Sequence, residues 1–132
     1  MIDLKDIKIG YDKSLFSIDK IQLEKGQLYA LIGANGKGKT TFLKTLVGEI
    51  NPFKGEVIID QLSQTKLSRI EKAKKVAFVT SKQQEVEFLK VIDFIRLGRT
   101  PYTNLFGKLT IQDEEIVEKV ISQLNIDHLS HL

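Results

Sequence analysis

The chain of 132 residues is 42% hydrophobic and 28% charged, which suits an ordinary globular domain, or part of one, with a sizeable core. Without cysteine it has neither a disulfide framework nor a thiolate metal site, and no apolar run approaches the roughly 18 residues that a membrane span needs. The net charge of +3 is too small to require an acidic partner, and Met1-Ile2-Asp3-Leu4-Lys5 lacks the pattern of a secretion signal.

Residues 2–9 alternate, with Ile2, Leu4, Ile7 and Ile9 apolar between acids and lysines. The one-residue slip between Leu4 and Ile7 predicts a bulge or bend in a half-exposed strand. A turn over residues 10–13 leads to two shorter alternating runs, Phe16 with Ile18 and Ile21 with Leu23, before residues 24–26 turn the chain again. An antiparallel β region is therefore expected over residues 1–26. Tyr11 stands at the first turn, where its ring either offers a flat face to a purine base or covers the edge of a small sheet.

Residues 27–32 form a short, mostly apolar run, as a strand buried on both faces should. Then comes Gly33-Ala34-Asn35-Gly36-Lys37-Gly38-Lys39-Thr40-Thr41, which fits the phosphate-loop pattern G-x-x-x-x-G-K-[ST]. Phe42, Leu43, Leu46 and Val47 follow on one helical stripe, and Gly48 is a stop. A strand before and a helix after are the setting in which this pattern cradles a polyphosphate. Gly33, Gly36 and Gly38 permit tight or left-handed turns, so that successive N–H groups converge on the anion. Lys39 then reaches the terminal phosphates, and the Thr40 hydroxyl is the expected ligand of the accompanying Mg²⁺. Lys37 either adds a second cation or points to solvent.

Residues 51–55 form a turn cluster and residues 56–60 a strand. Asp60 ends that strand as a Mg²⁺-organising acid would, but Gln61 occupies the place of a second acid, so a plain strand and turn is the expectation. Ser68-Arg69-Ile70-Glu71 matches a capping box that opens a short helix. Lys66, Arg69, Lys72, Lys74 and Lys75 read as a solvated face rather than a nucleic-acid site, since no aromatic residue is interleaved. Residues 76–79 predict a buried strand and residues 80–87 a polar loop leaving its end, where Gln83 and Gln84 are candidates for sensing a γ-phosphate. Val91, Phe94 and Ile95 mark a helix stopped at Gly98. Thr110-Ile111-Gln112-Asp113 is a second capping box, opening a helix with Ile116, Val117, Val120, Ile121 and Leu124 on one face. His128 and His131 have no third ligand near them and do not make a metal site.

In this order the pieces resemble the first half of an ATP-binding cassette (ABC) ATPase domain, nearly end to end. The resemblance implies an α/β fold: a partial P-loop NTPase core over residues 27–80, an antiparallel β subdomain over residues 1–26, and a sensing loop with the start of a helical subdomain over residues 81–132. Tyr11 falls where the family places the aromatic that stacks on adenine. Residues 76–85 resemble the strand and loop that carry the γ-phosphate-sensing glutamine; Ser81 holds that position, with Gln83 or Gln84 as its replacement through a shifted loop. Leu97-Gly98-Arg99-Thr100-Pro101-Tyr102, with Phe106-Gly107-Lys108-Leu109 and the helix after it, is similar to the helical subdomain of importers for iron-siderophore, haem and cobalamin.

The family further implies ATP and Mg²⁺ as cofactors, a second ATPase subunit, transmembrane permease subunits, an external binding protein, no nucleic acid, and a peripheral place on the cytoplasmic face of the membrane. The family's signature motif, its Mg²⁺-binding acid with the catalytic glutamate, and its switch histidine fall beyond residue 132. The expectation is therefore nucleotide binding without turnover, no catalytic residue in this stretch, and exposed sheet edges that leave it marginally stable or self-associating. The alternatives are a soluble ABC-type ATPase and a nucleotide-binding module that does not hydrolyse.

Overall fold

The computed structural model describes residues 1–10, 13–80, 89–104 and 106–130. The chain divides into two compact units, Met1–Phe78 and Val79–Leu132.

The first unit is built on a four-stranded sheet of β1 (Ile2–Gly10), β2 (Ser14–Leu23), β3 (Lys54–Ile59) and β4 (Leu62–Ser63). Its order is β2-β1-β3-β4, and every neighbouring pair is antiparallel. The slip between Leu4 and Ile7 is a real bend: Asp6 has φ 47°, and the pairing of β1 with β3 shifts register between Lys5 and Lys8. Strand β2 carries a matching slip between Ile18 and Ile21. Ile2 pairs with Leu23, Leu4 with Ile21, Ile7 with Ile18 and Ile9 with Phe16, so the apolar sets of both strands stay on one face across the bend. Gly55, at φ 80°, lies against this bend, and a Cβ there would run into the carbonyl oxygens of Lys5 and Asp6.

Helix α1 (Lys39–Leu46) covers the apolar face of the sheet, where Phe42 and Leu46 join Leu4, Ile7, Ile9, Val57, Ile59 and Leu67 in one core. Burying each of those two helix side chains contributes about 1.5–3 kcal/mol. Leu43, expected in the buried stripe, is exposed; Thr41 and Thr45 face inward instead. The Thr45 hydroxyl donates to the Thr41 carbonyl at 2.9 Å, which satisfies it inside the core. Helix α2 (Arg69–Ala73) opens on the expected capping box between Ser68 and Glu71.

Two expected strands are not formed. Residues 27–32 and 76–79 are neither helix nor strand, and Leu28, Ile32 and Val79 are 98%, 91% and 91% exposed. A strand buried on both faces exists only through its neighbours, and among the described residues neither run has a ladder partner. The composition of these runs specifies a strand, whereas the sheet present here is the antiparallel one built by the other segments.

The second unit holds α3 (Val91–Leu97), a 3-10 turn Thr100–Tyr102, α4 (Ile111–Gln123) and a second 3-10 turn Asp127–Leu129. The backbone N–H of Ile92 donates to the Ser130 carbonyl at 3.0 Å, joining its two ends. Val117 and Ile121 of α4 are buried, but Ile116 and Leu124, expected beside them, are exposed. Their place inside is taken by Asp113. Its carboxylate closes the capping box with the hydroxyl and amide of Thr110 and accepts from Arg99 Nη2 at 2.7 Å and Nε at 2.9 Å. The Thr110 hydrogen bonds first, and then the Arg99 guanidinium, lower its pKa to about 2. Arg99 also lies 4.0 Å over the Tyr102 ring.

Candidate phosphate-binding site

The loop over residues 33–38 connects an extended run to α1, and its shape follows from its glycines. Gly36 has φ 76° and Gly38 φ 86°, both in the region that a Cβ disfavours, while Gly33 is not left-handed. Gly38 is the residue that caps α1, with no side-chain hydrogen bond at the cap. The first intrahelical bond runs from Phe42 N to Gly38 O at 2.8 Å. The N–H groups of Lys39, Thr40 and Thr41 therefore have no intrahelical acceptor, and the helix directs its positive end toward the loop.

A cavity of about 270 Å³ opens at this end, lined by Leu15, Asn35, Gly36, Gly38, Lys39, Thr40 and Thr41. At Gly36 an added Cβ would meet nothing within 4 Å, so the backbone there borders open space into which a phosphate can come close. Lys39 Nζ donates to the carbonyl oxygens of Gly33 at 2.6 Å and Ala34 at 2.9 Å. Thr40 is exposed in the first turn of α1, and Thr41 is buried against the core. Lys37 is exposed and lines an apolar cleft of about 210 Å³ on the other side of Lys39, with Phe16, Ile18, Ile21 and Leu31 among its walls.

These features fit a magnesium–polyphosphate group: unsatisfied amides, a primary ammonium at the mouth and a hydroxyl open to solvent. Of the sequence-predicted site residues the structure brings Asn35, Gly36, Gly38, Lys39, Thr40 and Thr41 around one cavity. Gly33 and Ala34 hold the lysine from behind. Tyr11, Ser81, Gln83 and Gln84 lie outside the described residues. Leu15, which lines the cavity, was not singled out from the sequence; its position opposite the loop depends on how β2 returns along β1, and no local pattern reveals that.

Asp60 is held by three cations. Its carboxylate accepts from the Met1 amine at 2.9 Å, Lys25 at 3.0 Å and Lys75 at 3.3 Å, and these partners, the Met1 amine foremost, hold its pKa well below the ordinary carboxylate value. Among the described residues no group of three or more metal-ligating side chains is found.

Comparisons with known proteins bear on the chain as a whole. The chain is 32% identical over 130 residues to the achromobactin transport ATP-binding protein of Dickeya dadantii, covering 98% of this chain and 48% of that protein. It is 30% identical over 131 residues to a Bacillus subtilis ATP-binding protein named for a siderophore transport system, covering 98% and 47%. The fold matches the dimeric structure of a bacterial ABC transporter cassette with a TM-score of 0.77 at 21% identity, over 99% of this chain and 60% of that one. The chain thus spans about half the length of the curated relatives it matches. Because the ABC transporter family model matches residues 17–132, the chain belongs to the ABC transporter family, as part of the N-terminal region of its ATPase domain.

Proposed function

We propose that residues 1–132 form the nucleotide-binding part of an ABC importer subunit that couples ATP binding and hydrolysis to uptake of an iron-siderophore or related chelate. The observation that carries the reading is the pairing of left-handed Gly36 and Gly38 with the unsatisfied amides of the first turn of α1 around a cavity that Lys39 borders. In this reading Gly36, Gly38, Lys39, Thr40 and Thr41 hold the triphosphate, Thr40 ligates Mg²⁺, and Tyr11 carries the adenine. Bound Mg²⁺ would supply charge neutralisation between the terminal phosphates; the chain's own part is to hold and orient the anion.

Chelate uptake rests on the relatives named for achromobactin and siderophore transport. The permease subunits, a second cassette and the cytoplasmic membrane face are parts of the same proposal, and turnover is assigned to the complete cassette. Ser81, Gln83 or Gln84 would sense the γ-phosphate. Titration of a fluorescent ATP analogue into wild type and Lys39→Ala tests the binding. Binding that is lost in the variant supports the reading, and equal affinities would remove it.

A further inference from the structure

Glycine visits left-handed and right-handed backbone about equally, so a phosphate loop that depends on φ 86° at Gly38 needs something outside the loop to keep it there. The nearest such object is Phe16. A Cβ added to Gly38 would lie 2.8 Å from Phe16 Cε1 and 3.5 Å from Cδ1, so the ring edge fills the space beside that glycine. The same ring stands 6.4 Å from the Phe42 ring, tilted by 47°, in the first turn of α1. Phe16 is itself anchored, half-buried on β2 opposite the fully buried Ile9.

We propose that Phe16 is a positioning residue of the phosphate loop. Its ring, carried by the sheet, is wedged against Gly38 and Phe42 and thereby fixes the direction of the amides that open α1. It does not line the cavity bordered by Gly36 and Lys39; it acts through Gly38. The inference rests on the phosphate-loop reading above and adds that the antiparallel sheet, not the loop alone, sets the geometry of the anion cradle. A leucine at this position keeps an apolar side chain over the core but has no ring edge to reach the glycine.

The test uses the 132-residue chain as wild type, Phe16→Leu, Phe16→Tyr and Lys39→Ala. Each is titrated with fluorescent analogues of ATP and AMP, and the backbone ¹³Cα NMR shifts of residues 36–41 are followed alongside a thermal melt. Phe16→Leu is expected to melt as wild type does, to change the Gly38 and Lys39 ¹³Cα shifts, and to bind ATP at least about tenfold more weakly with little change for AMP, as a slightly misplaced ligand set implies. Phe16→Tyr, which keeps the ring, is expected to restore both the shifts and the affinity. If Lys39→Ala binds ATP like wild type, the phosphate-loop reading itself fails. If Lys39→Ala loses binding while Phe16→Leu keeps wild-type affinity and ¹³Cα shifts, the loop stands and the role of Phe16 is overturned.

Discussion

Lys39 reaches back across its own loop and donates from Nζ to the carbonyl oxygen of Gly33 at 2.6 Å. The Ala34 carbonyl takes a second of its three protons at 2.9 Å. The ammonium proposed to meet the terminal phosphates is thus also the staple of the loop. Lys39→Ala is expected to change the backbone shape of residues 34–38 even without nucleotide. Backbone ¹³Cα NMR shifts check this, and unchanged shifts would mean that the glycines alone shape the loop. Lys39→Arg is not expected to substitute, because a planar guanidinium presents its donors in a rigid fork rather than from one compact point.

Gly55 shows how strictly the bend in β1 is built. With φ 80° and the carbonyls of Lys5 and Asp6 where its side chain would go, an alanine meets both a backbone conformation it avoids and a collision it cannot relieve by rotating. Gly55→Ala is expected to cost more than about 1 kcal/mol, the loss expected where the native φ is incompatible with a Cβ. Urea denaturation measures it. A midpoint equal to wild type would show that the strands β1 and β3 part easily at the bend.

Much of this was legible in the sequence because it is local. The slip between Leu4 and Ile7, both capping boxes, the turn at Gly48 and the phosphate loop each depend on residues within a few positions of one another. What was not legible depends on partners far along the chain. Residues 27–32 and 76–79 have the composition of buried strands, but a strand is made by its neighbours and these runs have none among the described residues. The burial of Asp113 in place of Ile116 and Leu124 follows from Arg99, which no helical periodicity within α4 could announce. Phe16 beside Gly38 is likewise a meeting of segments brought together only by the hairpin.

The capping box at Thr110 gives a clean stability test, because Thr110 accepts from the Asp113 amide at 3.2 Å and donates to its carboxylate at 2.7 Å. Thr110→Ala removes both and is expected to destabilise α4 by about 1 kcal/mol. Circular dichroism during thermal unfolding reads the loss, and an unchanged melt would assign the helix start to packing of Val117 and Ile121 instead.

Asp113 also predicts an acid limb to stability. Its folded-state pKa is about 2 against an ordinary value of 3.8, so between these values the unfolded chain binds the proton more readily than the folded one. Its contribution is fully present above the ordinary value and is lost as pH falls through about 2. Asp60, depressed chiefly by the Met1 amine and then by Lys25 and Lys75, acts with the same sign. Wild type is therefore expected to exceed Asp113→Asn in stability near neutral pH, with the gap closing on acidification. A gap that stays constant down to about pH 2 would show that the carboxylate charge does not matter.

The extended run before the phosphate loop carries the last expectation. Leu28 and Ile32 are 98% and 91% exposed, Tyr29 and Leu31 about half so, and the backbone of residues 27–32 has no ladder partner among the described residues. Unpaired N–H and C=O groups flanked by apolar side chains form an edge on which another chain can add a strand. The 132-residue chain is expected to associate with rising concentration, as sedimentation velocity would show. Leu28→Lys with Ile32→Lys places charge on that edge without disturbing any buried contact, so it should reduce association and leave the melt unchanged. A monodisperse monomer at all concentrations would mean that this run is already protected in solution. Association undiminished in the double variant would place the contact on another surface, with the exposed Phe94, Leu97 and Ile111 of the second unit as the next to be charged.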